Sequence, residues 1–110
     1  MDFTPKLVRD GIPDKIRANG EVPVIRVLVG AELMRATRKK VLEEAQELAA
    51  ACSRAEMLRE AVDVLEAFDA FLAAHHISMA EARMLQERRR AERGGFDKGF
   101  FLERVDPAQA

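Results

Sequence analysis

Residues 31–93 read AELMRATRKKVLEEAQELAAACSRAEMLREAVDVLEAFDAFLAAHHISMAEARMLQERRRAER and contain neither glycine nor proline. A run this long without either helix breaker, patterned at about 100° per residue, is helical. Met34, Val41, Ala45, Leu48 and Cys52 line one face of its first part. At Ser53 the motif S-R-A-E places Glu56 three residues on, a capping box that restarts a helix. Beyond it, Met57, Leu58, Ala61, Leu65, Phe68 and Leu72 share a face. His75-His76-Ile77 breaks the pattern, and Ser78 with Glu81 forms a second capping box. The spacing therefore predicts helices over 31–51, 54–75 and 79–93, the last with a basic final turn that suits the helix dipole and a stop at Gly94-Gly95.

The flanks are less regular. Pro13 to Ala18 reads as a short helix, with Asp10 ahead of it and Asn19-Gly20 ending it. Pro23–Val29 is β-branched and extended in character, and Phe100-Phe101-Leu102 is a second short apolar run. The two are expected to pair as small strands. The whole reads as one domain, 1–110: an all-α helical bundle with short extended N- and C-terminal segments.

Composition narrows the function classes. Among 110 residues there are 18 basic and 19 acidic side chains, a net charge of −1, which argues against a partner bound through bulk positive charge such as a nucleic acid polymer. Without Trp or Tyr the chain lacks the usual aromatic platform for stacking bases. No apolar run reaches about 18 residues, so no membrane span is expected. The charged, proline-broken start does not read as a secretory signal, and the single cysteine, Cys52, cannot make an internal disulfide. The cytoplasm is the expected compartment. Cys52 is expected to pack at a helix end.

Two acidic clusters stand apart from this background: Glu43-Glu44-Ala45-Gln46-Glu47 and Glu60-Ala61-Val62-Asp63. Residues three apart on a helix share a face, so Glu44 projects with Glu47 and Glu60 with Asp63. Glu44 has Val41 one turn before it and Leu48 and Ala51 after; Glu60 has Met57 before it and Val64 and Ala67 after. Both acids border apolar stripes. Drawing like charges toward a partly buried seam is costly unless a cation joins them. Carboxylates from two antiparallel helices offer a hard, oxygen-only site suited to Mg²⁺ or Mn²⁺ rather than zinc. The competing reading is a solvated, Glu-rich helix surface; the second acidic pair beside another apolar stripe weighs against it.

EEAQE followed by EAVD resembles the EExxE…ExxD signature of the all-α nucleoside triphosphate pyrophosphohydrolases, which include MazG-like proteins, dimeric dUTPases and phosphoribosyl-ATP pyrophosphohydrolase. KLVRDGIP at 6–13, PVIRVL at 23–28 and RGGFDKGFFLE at 93–103 resemble a small branch of house-cleaning pyrophosphatases within it. Gly11 and Gly99 depart from the bulkier or basic residues expected there. The resemblance implies Mg²⁺- or Mn²⁺-dependent hydrolysis of a nucleoside triphosphate to the monophosphate and pyrophosphate. It implies metal ligation by Glu44, Glu47, Glu60 and Asp63, with Glu43 orienting or deprotonating the attacking water. The candidate phosphate-binding cations are Lys6, Arg9, Lys40, Arg93 and Lys98.

No P-loop and no Ser/His/Asp arrangement is present in the sequence, so terminal γ-phosphate cleavage is not expected. Two alternatives stand beside house-cleaning activity: phosphoribosyl-ATP hydrolysis in histidine biosynthesis, and a non-catalytic helical assembly protein of the same fold. Leu33 and Leu42 on the first long helix, with Val64 and Phe71 on the second, exceed what one chain readily covers. A homodimer or homotetramer is therefore expected.

Overall fold

Ser53 starts the helix that its sequence marks. Its Oγ accepts from the Glu56 backbone N–H at 3.1 Å, and the Glu56 carboxylate reaches back to accept from the Cys52 N–H at 3.0 Å. Two orphan donors of the first turn region are thus satisfied by one pair of side chains. The computed structural model describes residues 4–109. In chain order its helices are α1 (Ile12–Ala18), α2 (Gly30–Ala50), α3 (Arg54–Ala74) and α4 (Met79–Arg93). The fold is all-α, and each predicted helix lies within a residue or so of its expected bounds.

The chain divides into two compact units, one reaching to Met79 and the other beginning at Ala80. In the first, α2 and α3 form a hairpin joined by residues 51–53. Each helix has 21 residues and so runs about 30 Å. At the open end His75 ties the two together. Arg38 Nε donates to His75 Nε2 at 3.2 Å, while Nδ1 of the same ring lies 2.8 Å from the Phe71 carbonyl. Accepting from a guanidinium requires a lone pair on Nε2, so the proton sits on Nδ1 and donates to that carbonyl. The Phe71 ring packs on the imidazole, with centroids 4.3 Å apart. α1 is short, with Pro13 in its first turn and Gly20 at φ +81° just past its C-cap Asn19, a backbone conformation that glycine adopts without steric cost.

The second unit contains α4 from Ala80 onward and the segment that follows it. The last turn of α4 carries Arg90 and Arg93, and Gly94 at φ +80° ends it.

Two expectations are corrected. Pro23–Val29 and Phe100–Leu102 form no strand among the described residues. Their side chains are largely exposed, Val24 at 97%. A two-stranded ribbon without an apolar face to cover is marginal in water, so extended character alone does not make a sheet.

The second correction concerns which faces of the hairpin pack. The face Met57, Leu58, Ala61, Leu65, Phe68 and Leu72 is only partly covered: Leu72 is buried and Ala61 half-buried, whereas Met57, Leu58, Leu65 and Phe68 are exposed. On α2's expected face Met34, Val41 and Leu48 are half-buried, whereas Ala45 and Cys52 are exposed, and Cys52 is not packed at the helix end. The inward seam runs through Thr37, Val41, Glu44 and Leu48 on α2, two of them on the expected face, and through Glu60, Val64, Ala67 and Phe71 on α3. These recur at three- and four-residue spacing, so each set is one helix stripe. Among the described residues only Ala67 and Leu72 are buried apolar side chains.

Candidate metal centre

The seam that packs is the one that carries the acids. Glu44 is 8% exposed, the most buried charged residue described. One carboxylate oxygen from each of Glu44, Glu47 and Glu60 falls within 4.8 Å of the others. The placement follows from local geometry. Glu44 and Glu47 share a face of α2, and the hairpin brings Glu60 of α3 alongside.

Partners are scarce for these oxygens. Lys40 Nζ lies 3.3 Å from Glu44 Oε1 and 3.9 Å from a Glu43 oxygen, an i,i+4 and an i,i+3 pairing on the same helix. Arg59 Nε is 3.8 Å from Glu60 Oε1. The Oε2 atoms of Glu44 and Glu60 are buried and have no hydrogen-bond partner among the described residues. A buried carboxylate oxygen left unpaired is costly. Two of them beside a third carboxylate fit a site that a hard cation would complete, since such ions take oxygen ligands.

Asp63 stands apart from this triad. It shares a face with Glu60, one turn on, but its Oδ1 accepts from Arg9 Nη2 at 2.6 Å. Glu43 is half-buried, leans toward Lys40 and lines a neighbouring cleft rather than the triad.

A cleft of about 610 Å³ opens beside the site, walled by the N-terminal segment around Arg9 and by Thr37, Lys40, Glu44, Asp63 and Ala67. Of the expected phosphate-binding residues, Arg9 and Lys40 line it. Lys6 lines the neighbouring cleft, which Lys40 also borders. Arg93 and Lys98 belong to the second unit, where the Lys98 ammonium sits 5.7 Å from the Phe100 ring centroid.

Sequence reasoning missed Thr37. At 1% exposed it is the most buried side chain described, and its hydroxyl donates to the Met34 carbonyl at 2.8 Å. It also lines the cleft. The available signal was spacing: Thr37 precedes Glu44 by seven residues, two helical turns, so it shares the acid's face.

Comparison with known proteins adds one local likeness. A 49-residue stretch is 51% identical to an uncharacterized protein of Mycolicibacterium smegmatis, covering 44% of this chain. The chain spans about half the length of that curated relative, 50% of which is matched. No family model matches the chain. No solved structure matches it either.

Proposed function

We propose that this chain is a Mg²⁺- or Mn²⁺-dependent nucleoside triphosphate pyrophosphohydrolase of house-cleaning type, acting in the cytoplasm. The observation that carries the reading is the convergence of Glu44, Glu47 and Glu60 with two buried, unpartnered oxygens. The resemblance of EEAQE and EAVD to the pyrophosphohydrolase signature supports the same reading.

In this reading Glu44, Glu47 and Glu60 hold the cation, and Asp63 is the fourth ligand once free of Arg9. The ion supplies Lewis acidity toward phosphate oxygens and water. Lys40 offsets part of the negative charge of Glu43 and Glu44. Glu43, next to Glu44 in the chain and lining the neighbouring cleft, would orient or deprotonate the attacking water. The water oxygen bonds to the α-phosphorus as the bond to the α,β-bridging oxygen breaks, and pyrophosphate leaves. Arg9 and Lys40 offer positive charge to the phosphates from the cleft wall.

A second copy of the chain completes the assembly. Leu58, Val62, Leu65 and Phe68 form an exposed apolar face on α3, with Leu42 exposed on α2. Exposed apolar side chains along a helix mark an interaction surface. A homodimer, with a homotetramer as its further pairing, covers them.

The deciding experiment is a nucleoside triphosphate panel with Mg²⁺ and Mn²⁺, assayed for pyrophosphate and orthophosphate separately. Pyrophosphate with the monophosphate is expected. Orthophosphate without pyrophosphate overturns the reaction, and turnover of phosphoribosyl-ATP in preference to triphosphates shifts the substrate to histidine biosynthesis. A protein that binds the cation but turns over nothing is a non-catalytic member of the fold.

A further inference from the structure

Arg9 makes a contact that the proposed catalytic chemistry does not require. Its Nη2 lies 2.6 Å from Asp63 Oδ1, across 54 residues of sequence. Arg9 is about half-exposed and Asp63 about one-third exposed, so the bond is reachable by solvent and exchangeable. Asp63 is one helical turn from Glu60, whose Oε2 is buried without a partner among the described residues. On the facing helix Glu44, more than nine-tenths buried, has an unpartnered Oε2 as well. Of the two acids on this face of α3, the one with the N-terminal segment over it is paired with a guanidinium at 2.6 Å, and the other, with Arg59 Nε no nearer than 3.8 Å to its Oε1, keeps its buried Oε2 without a partner among the described residues.

We propose that Arg9 is a latch on the cation site: it occupies Asp63 in the cation-free protein, and Asp63 exchanges it for the ion. The proposal rests on the reading of Glu44, Glu47 and Glu60 as a cation site. A guanidinium and a divalent ion compete for the same oxygen, because Asp63 in one geometry cannot give its Oδ1 fully to both. Docking of the segment through Arg9 and cation binding therefore oppose each other. By reciprocity, whatever loosens the segment tightens the ion, and the ion loosens the segment. The size of the effect is bounded by the worth of a partly exposed ion pair, so removing Arg9 tightens cation binding about two- to fivefold. The N-terminal segment thereby becomes an element whose docking reports the state of the metal site.

The test uses the full chain with Mn²⁺ alone as the probe, read by titration calorimetry and by backbone hydrogen exchange over residues 7–10. R9Q binds Mn²⁺ about two- to fivefold tighter than the wild type, and saturating Mn²⁺ accelerates exchange over 7–10 in the wild type. Mn²⁺ bound by the wild type and lost in E60Q, with R9Q equal to or weaker than wild type, overturns the latch and leaves the cation site standing. Unchanged exchange over 7–10 at saturating Mn²⁺ overturns the latch in the same way. No Mn²⁺ binding by either wild type or R9Q overturns the cation site, and the latch with it.

Discussion

Lys40 and Glu44 sit one turn apart on α2, with Nζ 3.3 Å from Oε1, and the other oxygen of Glu44 is buried with no partner among the described residues. The pair is half a solution. One lysine sits at one oxygen of a carboxylate whose other oxygen is buried, and the group converges with Glu47 and Glu60. Charge compensation from within the helix thus stops short of the place where the acids converge.

Glu44→Gln tests that imbalance. The amide keeps the shape and removes a poorly compensated charge, so thermal stability in chelator stays level or rises. Stabilisation by Mn²⁺ disappears. For the wild type, an ion at a hundred times its dissociation constant adds about 2.7 kcal/mol. Thermal melts with and without Mn²⁺ for both proteins read both effects; a variant that is still stabilised by Mn²⁺ removes Glu44 from the site.

Leu65→Glu tests the apolar face. Leu65 is 55% exposed, so a carboxylate there leaves the hairpin's own packing intact. It buries like charges in a symmetric interface instead, which is costly. Sedimentation velocity at micromolar concentration is expected to show dimer or tetramer for the wild type and monomer for the variant.

Ser53→Ala tests the start of α3. It removes the acceptor of the Glu56 N–H and should cost about 1 kcal/mol of stability in denaturant titration. Ser53→Gly should cost less, since glycine is a tolerated N-cap.

Glu32 carries a pH signature. Its carboxylate accepts from Arg26 Nη2 at 2.8 Å, and this hydrogen bond, followed by the attraction of the guanidinium, holds its pKa below the ordinary carboxylate value. A group whose folded pKa is lowered stabilises the fold above its unfolded pKa, and that contribution is lost as pH falls through the folded pKa. Carboxyl NMR titration should find Glu32 titrating at lower pH than in Arg26→Ala, where it returns toward the ordinary value. The reverse order removes the pairing in solution.

The helices were legible in the sequence because they depend on neighbours. The absence of glycine and proline over 31–93, the Ser53–Glu56 cap and the Asn19-Gly20 stop act within a few residues, and each is realised where its motif stands. Helix spacing likewise shows that Glu44 goes with Glu47 and Glu60 with Asp63. It does not show which stripe turns inward. α3 has an apolar face through Met57, Leu58, Ala61, Leu65, Phe68 and Leu72 and a second through Val64, Ala67 and Phe71, and single-chain periodicity favours the larger one. The hairpin packs on the second, joined by Leu72 from the end of the first. Only that choice brings Glu60 to Glu44 and buries Thr37. Only the path of the N-terminal segment sends Arg9 to Asp63, separating it from the acid one turn away. Helical hydrogen bonds join residues four apart, so local sequence specifies them. The meeting of Glu44 with Glu60 and of Arg9 with Asp63 depends on which surfaces exclude water together, a property of the folded chain.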